Sequence, residues 1–293
     1  MKKTKKASIF ALLISILLFT VACTKQSRHS NANSSNDQTY SQISSQVWRI
    51  RNGKEIIYGH IYRPKNYREK KMRVAILSHG FGGTEDQMKP YAKNLAHRGY
   101  FTYVYDFPGG SLDGKSTGRK TTEMSIFTEE ADLLKIIQAV RQRNDVQKNN
   151  ILLVGASQGG AVTALTASRH PKHISALVLM YPAFSITDNA KSRYHSYTQV
   201  PNHPELFGIP LGKTYYKNLF KMDITKAATK FSGPVLVVHG EQDDIVPVRY
   251  ARKANNNFKN STLKVLPNAG HDFDGSDRKQ AIEYMDQFIN KLK

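Results

Sequence analysis

The sequence predicts an α/β domain in which a mostly parallel central sheet carries helices on both faces and a small inserted cap. Short apolar runs alternate along the chain with segments of helical periodicity, which is the pattern of repeated strand–helix units. One such run, residues 151–154, leads through the turn GASQG directly into a small-residue helix. A long aromatic-rich segment, residues 183–229, separates two predicted strands and is too long for a simple crossover, so it predicts the cap.

The folded domain is expected to span residues 46–293 and to begin with a β-hairpin. Residues 47–51 and 55–62 have strand composition, and they flank Asn52-Gly53, a pair typical of a type I′ turn. Because a hairpin joins antiparallel strands, this part of the chain would form an antiparallel edge on an otherwise parallel sheet.

The remaining elements are expected to alternate between strand and helix. Thr84 is a favourable N-cap, so a helix should follow it and end near Gly99. Further helices are expected over residues 125–144 and 278–292, where apolar side chains recur at helical spacing. Strands are expected at residues 74–77, 101–105, 151–154, 176–180, 235–238 and 263–266.

Residues 1–22 have the organisation of an export signal. Lysines near the start precede an apolar run that is short for a membrane-spanning helix. The run ends at TVAC, residues 20–23, which resembles a bacterial lipobox, and Cys23 is the only cysteine of the chain. The alternatives are a plain secretory signal and an uncleaved anchor. We expect cleavage before Cys23, lipid attachment to it, and a location on the extracytoplasmic face of a bacterial membrane.

Composition restricts the partners that this chain can have. Residues 23–45 are polar and low in complexity, as in a flexible tether, and the net charge of +20 suits a protein near anionic lipid or wall polymer. Because lysines and arginines are dispersed and no nucleic-acid-binding motif occurs, we expect no nucleic-acid partner. With one cysteine, no metal-ligand cluster and no phosphate loop, we expect no metal and no cofactor. We expect a monomer or a weak dimer.

Three motifs occur in an order typical of one family of serine hydrolases. GASQG at 155–159 is followed by GEQDDIVP at 240–247 and by NAGH at 268–271. On these motifs, residues 46–293 resemble the α/β-hydrolase family, which implies that Ser157 is the nucleophile, Asp243 the triad acid and His271 the general base. The first motif alone would also fit a glycine-rich turn with an ordinary serine, so the two later motifs decide the interpretation.

The chemistry explains why these residue types are needed together. A serine hydroxyl is a weak nucleophile at neutral pH, so an imidazole must accept its proton during attack and return it to the leaving group. A carboxylate must hold the imidazole in the correct tautomer. Asp244 is the rival for this role, and the spacing before Val-Pro in the family favours Asp243. His79 and His239, each at a strand end, are expected to shape their loops.

The resemblance also implies an oxyanion hole and a substrate class. The loop HGFGG, residues 79–83, matches the family pattern, and it implies backbone donors at Phe81 and at Gln158. This loop, the SQGG turn and the compact cap are most similar to bacterial cinnamoyl or feruloyl esterases, and Asp188 and Tyr215 lie where those enzymes place polar cap contacts. The expected activity is hydrolysis of short-acyl or aryl esters, so the expected partner is a small-molecule ester.

Two other functions remain open on the sequence. A serine peptidase of the same fold would need an acidic anchor for the amine of its substrate, and the cap offers few carboxylates, chiefly Asp188 and Glu205. A non-catalytic lipoprotein could bind a wall polymer or a lipid through a degenerate fold. Such a protein would have no need to keep Ser157, Asp243 and His271 together.

Overall fold

The computed structural model describes residues 39–67 and 71–292. The predicted signal, Cys23 and most of the predicted tether lie outside the described residues. Among the described helices, none is both long enough and apolar enough to cross a membrane.

A single twisted sheet of eight strands supports the described part of the chain. Its strands, in chain order, are β1 (Ile43–Asn52), β2 (Glu55–Pro64), β3 (Met72–Ser78), β4 (Tyr100–Tyr105), β5 (Val146–Ala156), β6 (Ile174–Met180), β9 (Val235–Gly240) and β10 (Ser261–Leu266). In space they run β1-β2-β4-β3-β5-β6-β9-β10. Only the pairs β1–β2 and β2–β4 are antiparallel. The predicted fold class, a mostly parallel sheet with one antiparallel edge, is confirmed.

The hairpin turn differs from the prediction by one residue. Asn52 pairs with Glu55 as part of the ladder, so the two loop residues are Gly53 and Lys54. Gly53 has φ of 61° and Lys54 is not among the residues with positive φ. A positive φ at the first loop position alone is the pattern of a type II′ turn, in which glycine takes that position. The predicted type I′ turn was therefore wrong, because Asn52 contributes to pairing and not to the loop.

Helices cover both faces of the sheet. They are α1 (Glu85–His97), α2 (Ile126–Arg141), α3 (Ser157–Arg169), α4 (Ile186–Tyr194), α5 (Ile224–Ala228), α6 (Arg249–Asn257) and α7 (Gly275–Ile289). The N-cap prediction for α1 is confirmed, since the Thr84 hydroxyl accepts a hydrogen bond from the Asp86 N–H. Side chains of α1 and α7 pack in one core cluster, and side chains of α2, α3 and α6 pack in the other. The two clusters lie against opposite faces of β3, β5 and β6, because successive side chains of a strand alternate between the clusters.

Helix α6 has no counterpart in the sequence-based prediction. Its buried apolar side chains are Ala251 and Ala254, and the rest of the helix is polar or aromatic. The helix is mostly polar and its buried face carries only two alanines, so no apolar pattern marked it in the sequence.

The segment 183–229 lies between β6 and β9. It contains α4, α5, short 3₁₀ turns and a small hairpin, β7 (Glu205–Leu206) with β8 (Ile209–Pro210). Its own apolar side chains are buried in the core on one face of the sheet, and they include Leu211, Leu219 and Ile224. The segment therefore packs as part of the domain and carries one wall of the cavity described below.

Candidate active site

Ser157 stands at the sharp turn where β5 passes into α3. It is the first residue of the helix, and its φ of 50° lies in the left-handed region that side chains other than glycine rarely adopt. The turn is tight because glycines flank it. A Cβ on Gly159 would lie 2.2 Å from the carbonyl oxygen of His79, and one on Gly155 would lie 2.4 Å from the carbonyl oxygen of Gly159. Only glycine permits this approach of backbone to backbone.

The three side chains named from the motifs lie in one hydrogen-bonded chain. The Ser157 Oγ is 2.9 Å from His271 Nε2, and His271 Nδ1 is 2.8 Å from Asp243 Oδ2. A carboxylate only accepts hydrogen bonds, so Nδ1 carries the proton of the neutral imidazole and Nε2 accepts from the serine hydroxyl. The ring of Tyr181 packs edge-on against the imidazole, with centroids 4.8 Å apart. Three residues far apart in sequence thus meet where β5, β9 and β10 end.

The surroundings of Asp243 favour its ionised form. Its Oδ1 accepts the backbone N–H groups of Ile245 at 3.0 Å and Val246 at 2.7 Å. Burial by itself raises the pKa of Asp243, but hydrogen bonds from His239, from His271 and from the Val246 N–H outweigh it and hold the pKa well below its usual range. The neighbouring Asp244 is exposed and is not among the partners of His271. The geometry therefore favours Asp243 over its rival.

A second histidine contacts the same carboxylate. The His239 side chain is fully buried, and its Nε2 lies 2.7 Å from the carbonyl oxygen of Val246 and 3.1 Å from Asp243 Oδ2. Both partners are acceptors, so Nε2 carries the proton. Its Nδ1 has no hydrogen-bond partner among the described residues. His239 was expected to shape its loop, and its contact with Asp243 was not predicted. The one indication in the sequence was the His-Gly pair at the strand end.

The two backbone groups implied as oxyanion donors belong to the residue after Ser157 and to the loop that passes beside it. Gln158 is the second residue of α3, and N–H groups in the first turn of a helix have no partner within the helix. The Phe81 N–H makes no hydrogen bond within residues 39–67 and 71–292. In the same loop, a Cβ on Gly80 would lie 3.1 Å from the Ser157 Cβ, so the loop passes directly beside the nucleophile. This arrangement can place two donors at one oxygen atom.

His79 holds the loop that carries Phe81. Its Nδ1 donates to the Gly80 carbonyl oxygen at 2.7 Å, and its Nε2 accepts from the Phe107 N–H at 3.0 Å. Burial lowers the pKa of His79, so the imidazole stays neutral and keeps this tautomer. The Gly80 N–H in turn donates to the Gln87 side chain at 2.7 Å. His79 thus acts on the loop and lies apart from the chain of Ser157, His271 and Asp243.

A cavity of about 440 Å³ opens onto Ser157. Most of its lining comes from the segment 183–229, and the apolar side chains at its wall include Phe81, Ile186, Leu206, Phe207, Tyr215 and Ile245. Phe207, at the tip of the β7–β8 hairpin, is 67% exposed and marks the mouth. An apolar wall with a hydroxyl at its base is suited to an acyl or aryl group.

The structure separates the two cap residues proposed from the resemblance. Tyr215 lines the cavity, and its hydroxyl donates to the Gln158 side chain at 2.7 Å. Asp188 does not line the cavity; its carboxylate accepts from the Tyr250 hydroxyl at 3.1 Å. On α4, Ile186 and Asn189 face the cavity. Asp188 directly precedes Asn189, so its side chain is turned by about 100° around the helix axis relative to that of Asn189. Asp188 as a substrate contact stays a prediction, and its contact with Tyr250 does not favour it.

Below the nucleophile, Glu129 of α2 is buried and contacts Gln158. Its two carboxyl oxygens lie 3.0 and 2.9 Å from Gln158 Nε2. Burial raises the pKa of Glu129 from 4.5 to about 8; the hydrogen bonds from Gln158 and the charge of Arg119 oppose the shift, and the charge of Asp132 adds to it. Glu129 was not identified from the sequence, because the helix around it has an ordinary amphipathic pattern.

This carboxyl group predicts a dependence of stability on pH. The unfolded chain releases the Glu129 proton near pH 4.5 and the folded chain keeps it to about pH 8, so the free energy of unfolding should fall as pH rises through this interval. Glu129→Gln removes the titration and should flatten the fall in melting temperature between pH 5 and pH 8. Thermal denaturation followed by circular dichroism checks this.

The control for this prediction is Glu123→Gln. Glu123 is a fully exposed carboxylate whose pKa is lowered, mainly by a hydrogen bond from the Lys120 N–H, so its replacement should leave the fall between pH 5 and pH 8 in place. An unchanged slope in Glu129→Gln would contradict the buried-proton account.

No group of His, Cys, Asp and Glu side chains within the described ranges is arranged to hold a metal ion. The side chains around Ser157 can carry out nucleophilic and acid–base chemistry. They form a hydrogen-bonded chain of a hydroxyl, an imidazole and a carboxylate.

Two family models match successive parts of the chain. The model described as alpha/beta hydrolase fold matches residues 75–215, and the model described as TAP-like protein matches residues 219–293. The first match includes the turn at Ser157, and the second includes Asp243 and His271.

Individual relatives are distant but cover most of the chain. A putative esterase/lipase 2 of Mycoplasma genitalium is 24% identical over 262 residues, which are 79% of this chain and 93% of that protein. The human serine hydrolase BPHL is 23% identical over 238 residues, 75% of this chain and 77% of that protein. Among solved structures, Est1E from Butyrivibrio proteoclasticus with bound ferulic acid has a TM-score of 0.74 and 25% identity, covering 83% of this chain and all of that one.

Proposed function

Since the chain belongs to the α/β-hydrolase family and is a carboxylesterase-type hydrolase, we propose that it cleaves short-acyl or aryl carboxylic esters with Ser157 as nucleophile. The observation that carries the proposal is the hydrogen-bonded chain from Ser157 through His271 to Asp243 at the base of an apolar cavity. A binding protein without catalysis would gain nothing from this alignment.

Acylation follows from the geometry. The Ser157 Oγ attacks the ester carbonyl carbon while His271 Nε2 takes the hydroxyl proton, and Asp243 stabilises the imidazolium that forms. The negative charge on the former carbonyl oxygen is met by the N–H groups of Phe81 and Gln158. When the tetrahedral intermediate collapses, the C–O bond to the alcohol breaks, and His271 returns the proton to the leaving oxygen. The acyl group remains on Ser157.

Deacylation repeats these steps with water. His271 takes a proton from a water molecule, whose oxygen attacks the acyl carbon, and the same two N–H groups stabilise the second intermediate. The bond to the Ser157 Oγ then breaks, His271 returns the proton to that oxygen, and the acid leaves. A neutral His271 is required at the start of both halves, which the ionised Asp243 supports by fixing the proton on Nδ1.

The cavity supports the substrate class. Its wall is largely apolar and aromatic, with Arg193 and Asp244 among its polar members, and about 440 Å³ is within the range for small ligands. The bound ferulic acid of the Est1E structure and the name of the mycoplasma relative favour ester substrates with an aryl or acyl group. A peptide substrate would need an anchor for its amine, and neither cap carboxylate considered for this, Asp188 or Glu205, lines the cavity. The one carboxylate among the lining residues is Asp244.

A substrate panel tests the proposed function. The domain would be assayed as residues 39–293, since β1 begins at Ile43 and not at the predicted boundary of residue 46. The substrates are p-nitrophenyl acetate, butyrate and laurate, methyl ferulate and an aminopeptidase p-nitroanilide, each tested beside Ser157→Ala. Ester turnover that the variant lacks is the expected result, and the ranking of esters measures the cavity. Anilide turnover above ester turnover would favour a peptidase. A folded protein with no turnover would favour a binding role and contradict the proposal.

We further propose that the full chain is exported and anchored through a lipid on Cys23 at the extracytoplasmic face of a bacterial membrane. The support is the order of a basic start, an apolar run and TVAC at residues 20–23. In a bacterial host, the full chain should fractionate with membranes and yield an N-terminal peptide with the mass of a lipid-modified cysteine. Cys23→Ala should remove that mass and the membrane association; an unprocessed N-terminus in both proteins would contradict the proposal.

A further inference from the structure

Glu129 is a buried carboxyl group beside the nucleophile that the proposed mechanism does not use. It is 1% exposed, and both of its oxygens accept from the Gln158 amide at 3.0 and 2.9 Å. The nearest guanidinium, that of Arg119, is bonded to Asp132 and lies 3.4 Å from Glu55. Burying a polar group is costly unless it is hydrogen-bonded, and the partner of Glu129 here is the Gln158 amide.

The Gln158 amide continues this contact toward the cavity. Its Nε2 donates to Glu129, so its Oε1 faces the other way and accepts from the Tyr215 hydroxyl at 2.7 Å. In this orientation the Gln158 NH₂ donates to the carboxyl group and its oxygen accepts from the Tyr215 hydroxyl, so both ends of the amide are bonded. Three side chains from α2, α3 and the segment 183–229 therefore form one directed chain of hydrogen bonds.

Both residues proposed as oxyanion donors are attached to this chain. Gln158 belongs to it through its side chain, while its backbone N–H is one donor. The ring of Tyr215 packs against the ring of Phe81, with centroids 5.9 Å apart, and the Phe81 N–H is the other donor. Tyr215 is 2% exposed, so its ring is fixed by packing as well as by its hydroxyl.

We infer that Glu129, Gln158 and Tyr215 form a latch that fastens the cap segment to the nucleophile turn and thereby sets the positions of the two oxyanion donors. The inference rests on the proposed function for its effect on catalysis, and on the contacts alone for its effect on the cap. Glu129 and Tyr215 are positioning residues in this account. A fully satisfied buried network fixes a single arrangement, and leaving one member unpaired loosens the others.

The kinetic test uses Tyr215→Phe, which keeps the ring and removes the hydroxyl bond to Gln158. The variant should lower kcat for p-nitrophenyl acetate by about 10-fold with KM nearly unchanged, because one displaced oxyanion donor can cost 10²–10³ in rate and here the donor is loosened, not removed. If Tyr215 only contacted substrate, KM for laurate and methyl ferulate would rise and kcat for acetate would stay at the wild-type value. That outcome would overturn the latch.

Substitutions of Glu129, the buried end of the latch, distinguish a positioning role from a role in folding. Glu129→Gln keeps one acceptor for the Gln158 amide and should lose less activity than Glu129→Leu, which keeps none. The double variant Glu129→Gln/Tyr215→Phe should be less impaired than the product of the single losses, because both residues act through Gln158. Multiplicative losses would overturn the inference. Tyr91→Phe is the matched control, since the Tyr91 hydroxyl is buried with no partner among the described residues.

A measurement without turnover distinguishes the latch from the proposed function. Backbone amide hydrogen exchange of residues 211–217 in the folded protein should become at least several-fold faster in Tyr215→Phe and in Gln158→Leu, and should stay unchanged in Tyr91→Phe. If the wild-type protein hydrolyses no ester, the proposed function is contradicted, and exchange still decides the latch. Exchange in 211–217 at the wild-type rate in both variants would overturn it.

Discussion

Replacing Ser157 with alanine is expected to lower kcat for ester hydrolysis by on the order of 10⁶-fold, the largest effect of any single substitution in this chain. The Ser157 Oγ is the atom that bonds to the acyl carbon, and its proton goes to His271 Nε2, 2.9 Å away. Without it only water remains as a nucleophile, with whatever help the backbone donors give. Steady-state hydrolysis of p-nitrophenyl butyrate by wild type and variant at equal concentration measures the loss.

The control for this prediction is Ser175→Ala. Ser175 lies at the start of β6, at the edge of the sheet opposite to Ser157, so its loss should leave kcat within about twofold of wild type. Melting temperatures establish that both variants are folded. Ester hydrolysis by Ser157→Ala at more than a few per cent of the wild-type rate would mean that another group is the nucleophile.

Asp243→Asn should lower kcat by roughly 10⁴-fold and leave the fold in place. Asp243 Oδ2 accepts from His271 Nδ1 at 2.8 Å and from His239 Nε2 at 3.1 Å. An asparagine at this position presents one oxygen and one NH₂ group, and an NH₂ group facing His271 forces the proton onto Nε2. The imidazole then cannot accept the proton of Ser157. The same assay with p-nitrophenyl butyrate measures this loss.

Asp244→Asn is the matched control, because it makes the same chemical change on the exposed neighbour. Its effect should be within about threefold, since the Asp244 side chain makes no contact with His271. A large loss in Asp244→Asn together with a small loss in Asp243→Asn would reverse the assignment of the acid. Equal and small losses in both would contradict the role of any carboxylate here.

The sequence contained enough to predict the sheet and the meeting of three side chains. Buried parallel strands appear as apolar runs. The family resemblance carried by three motifs named Ser157, Asp243 and His271 as residues that act together. Gly155 and Gly159, which flank the turn, could also be identified from the sequence. Their spacing is set by contact between backbone segments and not by tertiary packing.

Other features depend on geometry that a sequence does not carry. Asp188 and Asn189 are neighbours in sequence, and only the rotation of α4 decides that Asn189 faces the cavity and Asp188 faces Tyr250. The chain from Glu129 to Tyr215 joins residues whose spacing has no motif, because each comes from a separate element. Such contacts follow from packing and are visible only once the elements are placed.

Formation of an acyl-enzyme at Ser157 tests the proposed mechanism most directly. Wild-type protein would be mixed with excess p-nitrophenyl butyrate, quenched in acid within the first turnovers, digested and analysed by mass spectrometry. The predicted result is one butyryl group on the peptide that contains Ser157, absent from Ser157→Ala treated in the same way. A butyryl group on another side chain would contradict this mechanism. So would rapid ester hydrolysis with no acylated Ser157 detected when deacylation is slowed.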